Sequence, residues 1–266
     1  MPPKLSKRSM KVYKHTGITE VIGIGDTHGS NNWIAYNSKR IGLENAIIFQ
    51  VGDFGVGFFK KEHDLEWMSK LNEDLSKLNC TMYVIRGNHD NPEYFKGDYS
   101  FSNLILLEDY SIVSINEKNG FLCIGGAISV DRKNRVEGEN WWPDENFKYN
   151  PSVLEEIESS GVLITDVITH TCPSIHPLPG FSGIVYDFAR NDDSLIVDLT
   201  AEREKLNELY FKLSERYHVS RWTYGHFHFS NVETIDSTRF TCLDIKEMKS
   251  IITYESDQDF MNRILR

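Results

Sequence analysis

TMYVIRGNHD, residues 81–90, runs from a β-branched, apolar stretch straight into Arg86, Gly87, Asn88, His89 and Asp90. An apolar run of that length reads as a buried strand, and the residues just past a strand end are where a rigid sheet presents chemistry. The same arrangement occurs twice upstream. VIGI leads into Gly25, Asp26, Thr27 and His28, and AIIFQV leads into Gly52, Asp53 and Phe54. Downstream, VITH ends on His170, and WTYGHFH carries His226 and His228. Singly, each piece is ordinary, because an Asp-x-His turn is a common helix cap or hydrogen-bonded turn. Their ordered conjunction is not ordinary. Asp26, His28, Asp53, Asn88, His170, His226 and His228 together offer hard oxygen and borderline imidazole donors, a set that suits a pair of transition-metal ions.

That donor set implies a hydrolase. Two cations roughly 3.5 to 4 Å apart clamp phosphoryl oxygens and lower the pKa of a bridging water, giving a hydroxide near neutral pH. Asp53 has the short carboxylate needed to bridge them. Asn88, a neutral donor, leaves the metals more positive charge for the developing transition state. His89 is placed to give a proton or hydrogen bond to substrate, with Asp90 fixing its tautomer.

The order D-x-H, G-D, G-N-H-D, lone His, G-H-x-H resembles the calcineurin-like metallophosphoesterase family, and the motifs span Asp26 to His228. The resemblance implies that Asp26, His28, Asp53 and His228 hold one metal, and that Asp53, Asn88, His170 and His226 hold the other. It implies that His89 sits beside the substrate phosphate and that Asp90 orients it. It implies two divalent ions as cofactors, Mn2+ first among them, with Fe, Zn2+ or Ni2+ also compatible. The fold it implies is α/β, a four-layer α/β/β/α sandwich of two mixed β-sheets flanked by helices. Arg86 matches a phosphate-binding arginine of the protein-phosphatase branch, although an arginine paired with a surface carboxylate is an equally natural reading. After Asp53, the run Phe54, Gly55, Val56, Gly57 lacks that branch's second Asp and its Arg. A protein Ser/Thr phosphatase is therefore the alternative rather than the main expectation, as are a non-catalytic scaffold and a nuclease subunit of the same fold.

At 266 residues, 40% of them hydrophobic, the chain can build one substantial core. Residues 18–266 are expected to form a single domain, after a mobile basic tail over 1–17 with Lys4, Lys7, Arg8, Lys11 and Lys14. A net charge of −10 argues against broad electrostatic grip on nucleic acid. Cys80, Cys123, Cys172 and Cys242 lie far apart in mostly apolar contexts and read as reduced, buried thiols. No stretch reaches the roughly 18 apolar residues of a membrane span, so a cytoplasmic enzyme is expected. Its partner would be a small, nucleotide-like phosphoester, either monoester or diester.

Two loops are expected to form the rim or lid of the site. In 129–146, Trp141 and Trp142 could stack on a planar group while Arg132 or Arg135 meets phosphate. The GGA-x-SVD and WWP runs around this loop look similar to single-domain phage and bacterial members of the family. In 173–192, His176 reads as a surface histidine. Helical periodicity appears over 60–78, 151–158 and 201–217, and the strand-like runs 240–243 and 251–254 suggest a closing hairpin or meander.

Overall fold

A computed structural model describes residues 10–99, 101–177 and 183–254. Alternation along the strands builds the layers. In β2 (Glu20–Ile24) and β3 (Ala46–Gln50), Ile22, Ile24 and Ile48 face outward, whereas Val21, Ile47 and Phe49 face inward. The outward set packs with Met68, Leu71 and Leu75 of α2 (Lys61–Lys77) and Ile34 of α1 (Asn31–Arg40). The inward set meets Val113, Ile115, Phe121, Cys123 and Ile168 from the opposite sheet. A third cluster lies beneath α3 (Val153–Ser160) and α5 (Leu195–Arg216), with Trp222 and Phe240 at its centre. The chain is thus a four-layer α/β/β/α sandwich.

The remaining strands are β1 (Val12–His15), β4 (Thr81–Val84), β5 (Leu104–Leu106), β6 (Ser111–Ile115), β7 (Asn119–Ile124), β8 (Asp166–Thr169), β9 (Arg221–Tyr224), β10 (Asn231–Ile235), β11 (Thr238–Cys242) and β12 (Met248–Thr253). One sheet runs β1-β6-β7-β8-β9-β11-β10 and the other β12-β2-β3-β4-β5, each mixing parallel and antiparallel pairs. β2, β3 and β4 are parallel neighbours, as are β7, β8 and β9. Their carboxyl ends therefore open on one rim, where ligands bind in open α/β sheets.

Three expectations change. The described part of the basic tail is not free, because Val12–His15 pairs in parallel with β6, with Val12 and Tyr13 packed against two different cores; residues 1–9 lie outside the described residues. The closing hairpin is absent: β11 pairs with β9 and β10, while β12 crosses to the other sheet and pairs with β2. The hydrophobic pattern alone does not say which sheet a strand joins. Loop 173–192 contains a short helix, α4 (Gly183–Ala189), and its residues 178–182 lie outside the described residues. All four cysteines are buried and free. Among the described residues, no helix is long and apolar enough to cross a membrane.

Candidate metal centre

Each expected ligand follows the carboxyl end of a strand: Asp26 and His28 after β2, Asp53 after β3, Asn88 after β4, His170 after β8, His226 and His228 after β9. One ligand atom from each of Asp26, His28, Asp53 and His228 can be chosen so that all lie within 4.8 Å of one another. The other donors gather on the far side of Asp53. His170 Nε2 is 3.2 Å from Asp53 Oδ1 and 3.1 Å from Asn88 Oδ1, and the His226 ring centroid lies 4.9 Å from that of His170. Asp53 Oδ2 instead faces the first group, 3.9 Å from His28 Nε2. One carboxylate thus turns its two oxygens toward two separate sets of donors, which is the arrangement a bridging ligand needs.

The local backbone is bent to achieve this. His28, Asp53, His226 and His228 have φ of 44°, 54°, 68° and 54°, a left-handed conformation that side chains other than glycine rarely adopt. Strain of this kind, of order 1–3 kcal/mol per residue, persists where the surrounding structure enforces it, typically at functional sites. The donor chemistry and the convergence both fit a pair of divalent ions.

The imidazoles and carboxylates of the site also lie within ion-pair distance of each other. Burial acts to raise the Asp53 pKa, but the His170, His89 and His28 rings hold the carboxyl well below its usual range. Burial opposes charge on His170, yet Asp53 and the Val51 carbonyl lift it to about 9. The hydrogen bond to Asp26 raises His228, and burial beside His170 pushes His226 well down. A histidine that holds its proton up to about pH 9 must release it before its lone pair can ligate. Ion affinity of the stripped protein should therefore climb on the order of tenfold per pH unit for each proton displaced, levelling off above the folded pKa. Calorimetric titration with Zn2+ between pH 6.5 and 8 checks this, and an affinity flat across that range would exclude His170 as a ligand.

The residues expected around the phosphate divide. His89 lies at the site, with its ring 5.0 Å from that of His28 and its Nε2 only 2.8 Å from Arg135 Nη2. Arg135 is held from behind by Asp131 Oδ1 at 2.7 Å. A guanidinium only donates, so Nε2 accepts and the ring proton sits on Nδ1. Burial lowers the His89 pKa, with Asp53 opposing it and the Arg135 guanidinium adding to it.

Asp90 does not orient His89 through a hydrogen bond to its ring. It accepts backbone N–H bonds from Phe54, Gly55, Val56 and Gly87 at 2.7 to 3.2 Å, clamping the Asp53 loop to the Asn88 loop. Burial and the neighbouring Asp53 raise it to about 7. Arg86 is corrected likewise. Its guanidinium is buried, paired with Asp109 Oδ2 at 2.7 Å and donating to the carbonyls of Asp144, Glu145 and Asn146, which leaves it nothing for substrate. Arg132 is spent on Asp192 and Asp198, both at 2.6 Å, and ties its loop to α5 and the turn before it. Trp142 is buried, its ring perpendicular to that of Phe58 at 5.5 Å, so it offers no exposed face; Trp141 is half-buried and bridged through its backbone to Glu137. His176 is buried, not superficial, with Nδ1 3.1 Å from the Tyr224 hydroxyl and Nε2 3.6 Å from Glu233. Loop 129–146 is therefore an anchored rim. Sequence reasoning missed Phe58, whose ring lies 6.2 Å from and nearly parallel to His89, and whose one local signal is its place in the glycine-rich run after Asp53.

The profile of the calcineurin-like phosphoesterases matches residues 19–230, a span that includes every one of these donors. The chain belongs to the calcineurin-like phosphoesterase family. No curated protein matches it in sequence. Among solved structures, this phosphoesterase is similar to a Staphylococcus aureus chain assigned as a 5′-nucleotidase, at 12% identity and a TM-score of 0.47. That match covers 92% of this chain and 57% of the Staphylococcus aureus one, so the phosphoesterase spans little more than half of that neighbour's length. It is also similar to the phosphopantetheinyl hydrolase of Mycobacterium tuberculosis, at 11% identity over 94% of this chain and 99% of that one, with a TM-score of 0.39. GAP50, the anchor in the inner membrane complex of Plasmodium, shares 12% identity over 88% of this chain and 78% of its own, with a TM-score of 0.42.

Proposed function

We propose that this phosphoesterase hydrolyses small, nucleotide-like phosphoesters, with Asp26, His28, Asp53 and His228 holding one divalent ion and Asp53, Asn88, His170 and His226 the other. The observation that carries the proposal is the division of the Asp53 oxygens between two donor groups. When bound, such ions supply a water of lowered pKa and positive charge against the phosphoryl oxygens. The chain supplies the rest. Arg135, braced at Nε by Asp131 and at Nη1 by the Asn140 carbonyl at 3.3 Å, turns its Nη2 toward the site, where an arriving phosphate competes with His89 Nε2 for it. His89 is a hydrogen-bonding neighbour of that phosphate, and the half-buried Phe58 beside it offers a flat apolar surface.

Arg135→Ala is expected to lower kcat/KM on the order of a hundredfold while ion stoichiometry stays unchanged, since a charge-assisted donor acts on the transition state in a partly dry site. Undiminished kcat/KM would place Arg135 away from substrate. Turnover of a nucleoside monophosphate and a dinucleotide, set beside nitrophenyl mono- and diesters, tests the substrate class. A nucleotide advantage of roughly tenfold or more is expected, the order of discrimination an apolar contact provides. Indifference to the organic group would contradict the nucleotide preference and leave the phosphoesterase intact.

A further inference from the structure

Asn88 can serve as a ligand only with one face of its amide, because the oxygen binds a cation whereas the NH2 group presents two hydrogens to it. The two faces are nearly identical in shape, so packing alone hardly distinguishes them. Hydrogen bonds do. Asn88 Nδ2 donates to Ser129 Oγ at 3.0 Å, and Ser129 Oγ donates to Glu145 Oε2 at 2.8 Å. The Ser129 backbone N–H donates to the other Glu145 oxygen at 2.7 Å. All three residues are buried, at 3%, 1% and 3% exposure, so water is poorly placed to substitute for any link.

Each link runs one way. Burial raises the Glu145 pKa to about 7, so at pH 8 the carboxyl is mostly ionised and only accepts, and the single hydroxyl proton of Ser129 goes to it. The Ser129 oxygen then has only lone pairs left for Asn88, and the group that meets them must be the NH2. That leaves Asn88 Oδ1 pointing at His170 Nε2, 3.1 Å away, among the donors of the second group. Turning the amide over would set its oxygen against the Ser129 lone pairs and leave a buried acceptor unpaired. Glu145 cannot drift, because Arg86 Nη1 donates to its backbone carbonyl, which also accepts the Ala127 N–H at 3.2 Å.

We infer that Ser129 and Glu145 are positioning residues that hold the Asn88 oxygen toward the second ion. The inference rests on the ligand set proposed above. It gives the rim loop a task at the metal centre rather than over the substrate. Partners behind a metal ligand commonly change ion affinity 10- to 100-fold when removed.

The test is calorimetric titration of Mn2+ into the full, chelator-stripped chain at pH 8. Near-ultraviolet circular dichroism of each variant checks its packing. Wild type should bind two ions. Ser129→Ala removes the acceptor for the NH2 group. Glu145→Gln places an amide where the carboxylate was and allows the whole relay to reverse. Each should weaken one of the two sites roughly 10- to 100-fold and leave the other within about twofold. Should Glu145→Gln fail to fold, Ser129→Ala carries the test. Asn88→Asp presents an oxygen whichever way it turns, so in that background Ser129→Ala should weaken binding less than about threefold, a coupling that a merely structural role would not show. Wild-type affinity at both sites in Ser129→Ala, or an undiminished penalty in the Asn88→Asp background, would overturn the inference. Fewer than two ions on wild type would overturn the ligand set itself, and the positioning role with it.

Discussion

Asp53→Asn is expected to leave a folded protein that has lost hydrolysis by roughly 10³-fold or more in kcat/KM, about 4 kcal/mol at 1.36 kcal/mol per decade. The substitution is nearly isosteric, and its remaining oxygen can still accept the His89 backbone N–H that Asp53 Oδ1 takes at 2.7 Å. What it removes is the charge and one of the two oxygens that face separate donor groups. A second readout follows in the stripped protein. Asp53 is the main support for the raised His170 pKa, so the His170 titration, seen by nuclear magnetic resonance, should fall from about 9 toward or below the ordinary histidine value. Burial then acts without opposition. Retained hydrolysis, or a His170 titration still near 9, would remove Asp53 from the centre of the site.

Gly87→Ala should be more damaging to the fold. A Cβ at Gly87 would stand 2.1 Å from Asp53 Oδ1 and 2.2 Å from the Asp53 backbone nitrogen, far inside van der Waals contact. The clash cannot be relieved by a flexible side chain, because Asp90 fastens both loops through Gly87 N–H at 2.8 Å and Gly55 N–H at 2.7 Å. Overpacking of this sort costs typically 1–3 kcal/mol and more where backbone must move. A loss of about 3 kcal/mol or more by urea unfolding, with neither ion bound tightly, is the expected outcome. A variant of wild-type stability with both ions bound would mean that the two loops are not locked together.

These two residues illustrate what a sequence of this kind reveals. The convergence of the seven expected donors was legible because metal ligation restricts residue type, and because each donor follows an apolar run of strand length. The four-layer sandwich was implied by the family resemblance, and the continuous apolar runs of β2 and β3 fit it because their two faces pack into separate cores. The arginines were not. Whether a guanidinium meets a phosphate or a carboxylate depends on Asp109 for Arg86, on Asp192 and Asp198 for Arg132, and on Asp131 for Arg135, and only the last is near in sequence. Burial was illegible at His176, since its partners Tyr224 and Glu233 arrive from strands about fifty residues on. Asp90 misled for another reason. It stands next to His89 in sequence, yet its carboxylate is drawn to the backbone N–H groups of a different loop.

The most direct measurement is ion content and phosphoester hydrolysis of the same preparation, first stripped by chelator and then reloaded stepwise with Mn2+. A dinuclear centre predicts negligible turnover when stripped and recovery that completes only as the second ion per chain binds. Hydrolysis that survives complete stripping, or that is full with a single ion bound, would contradict it.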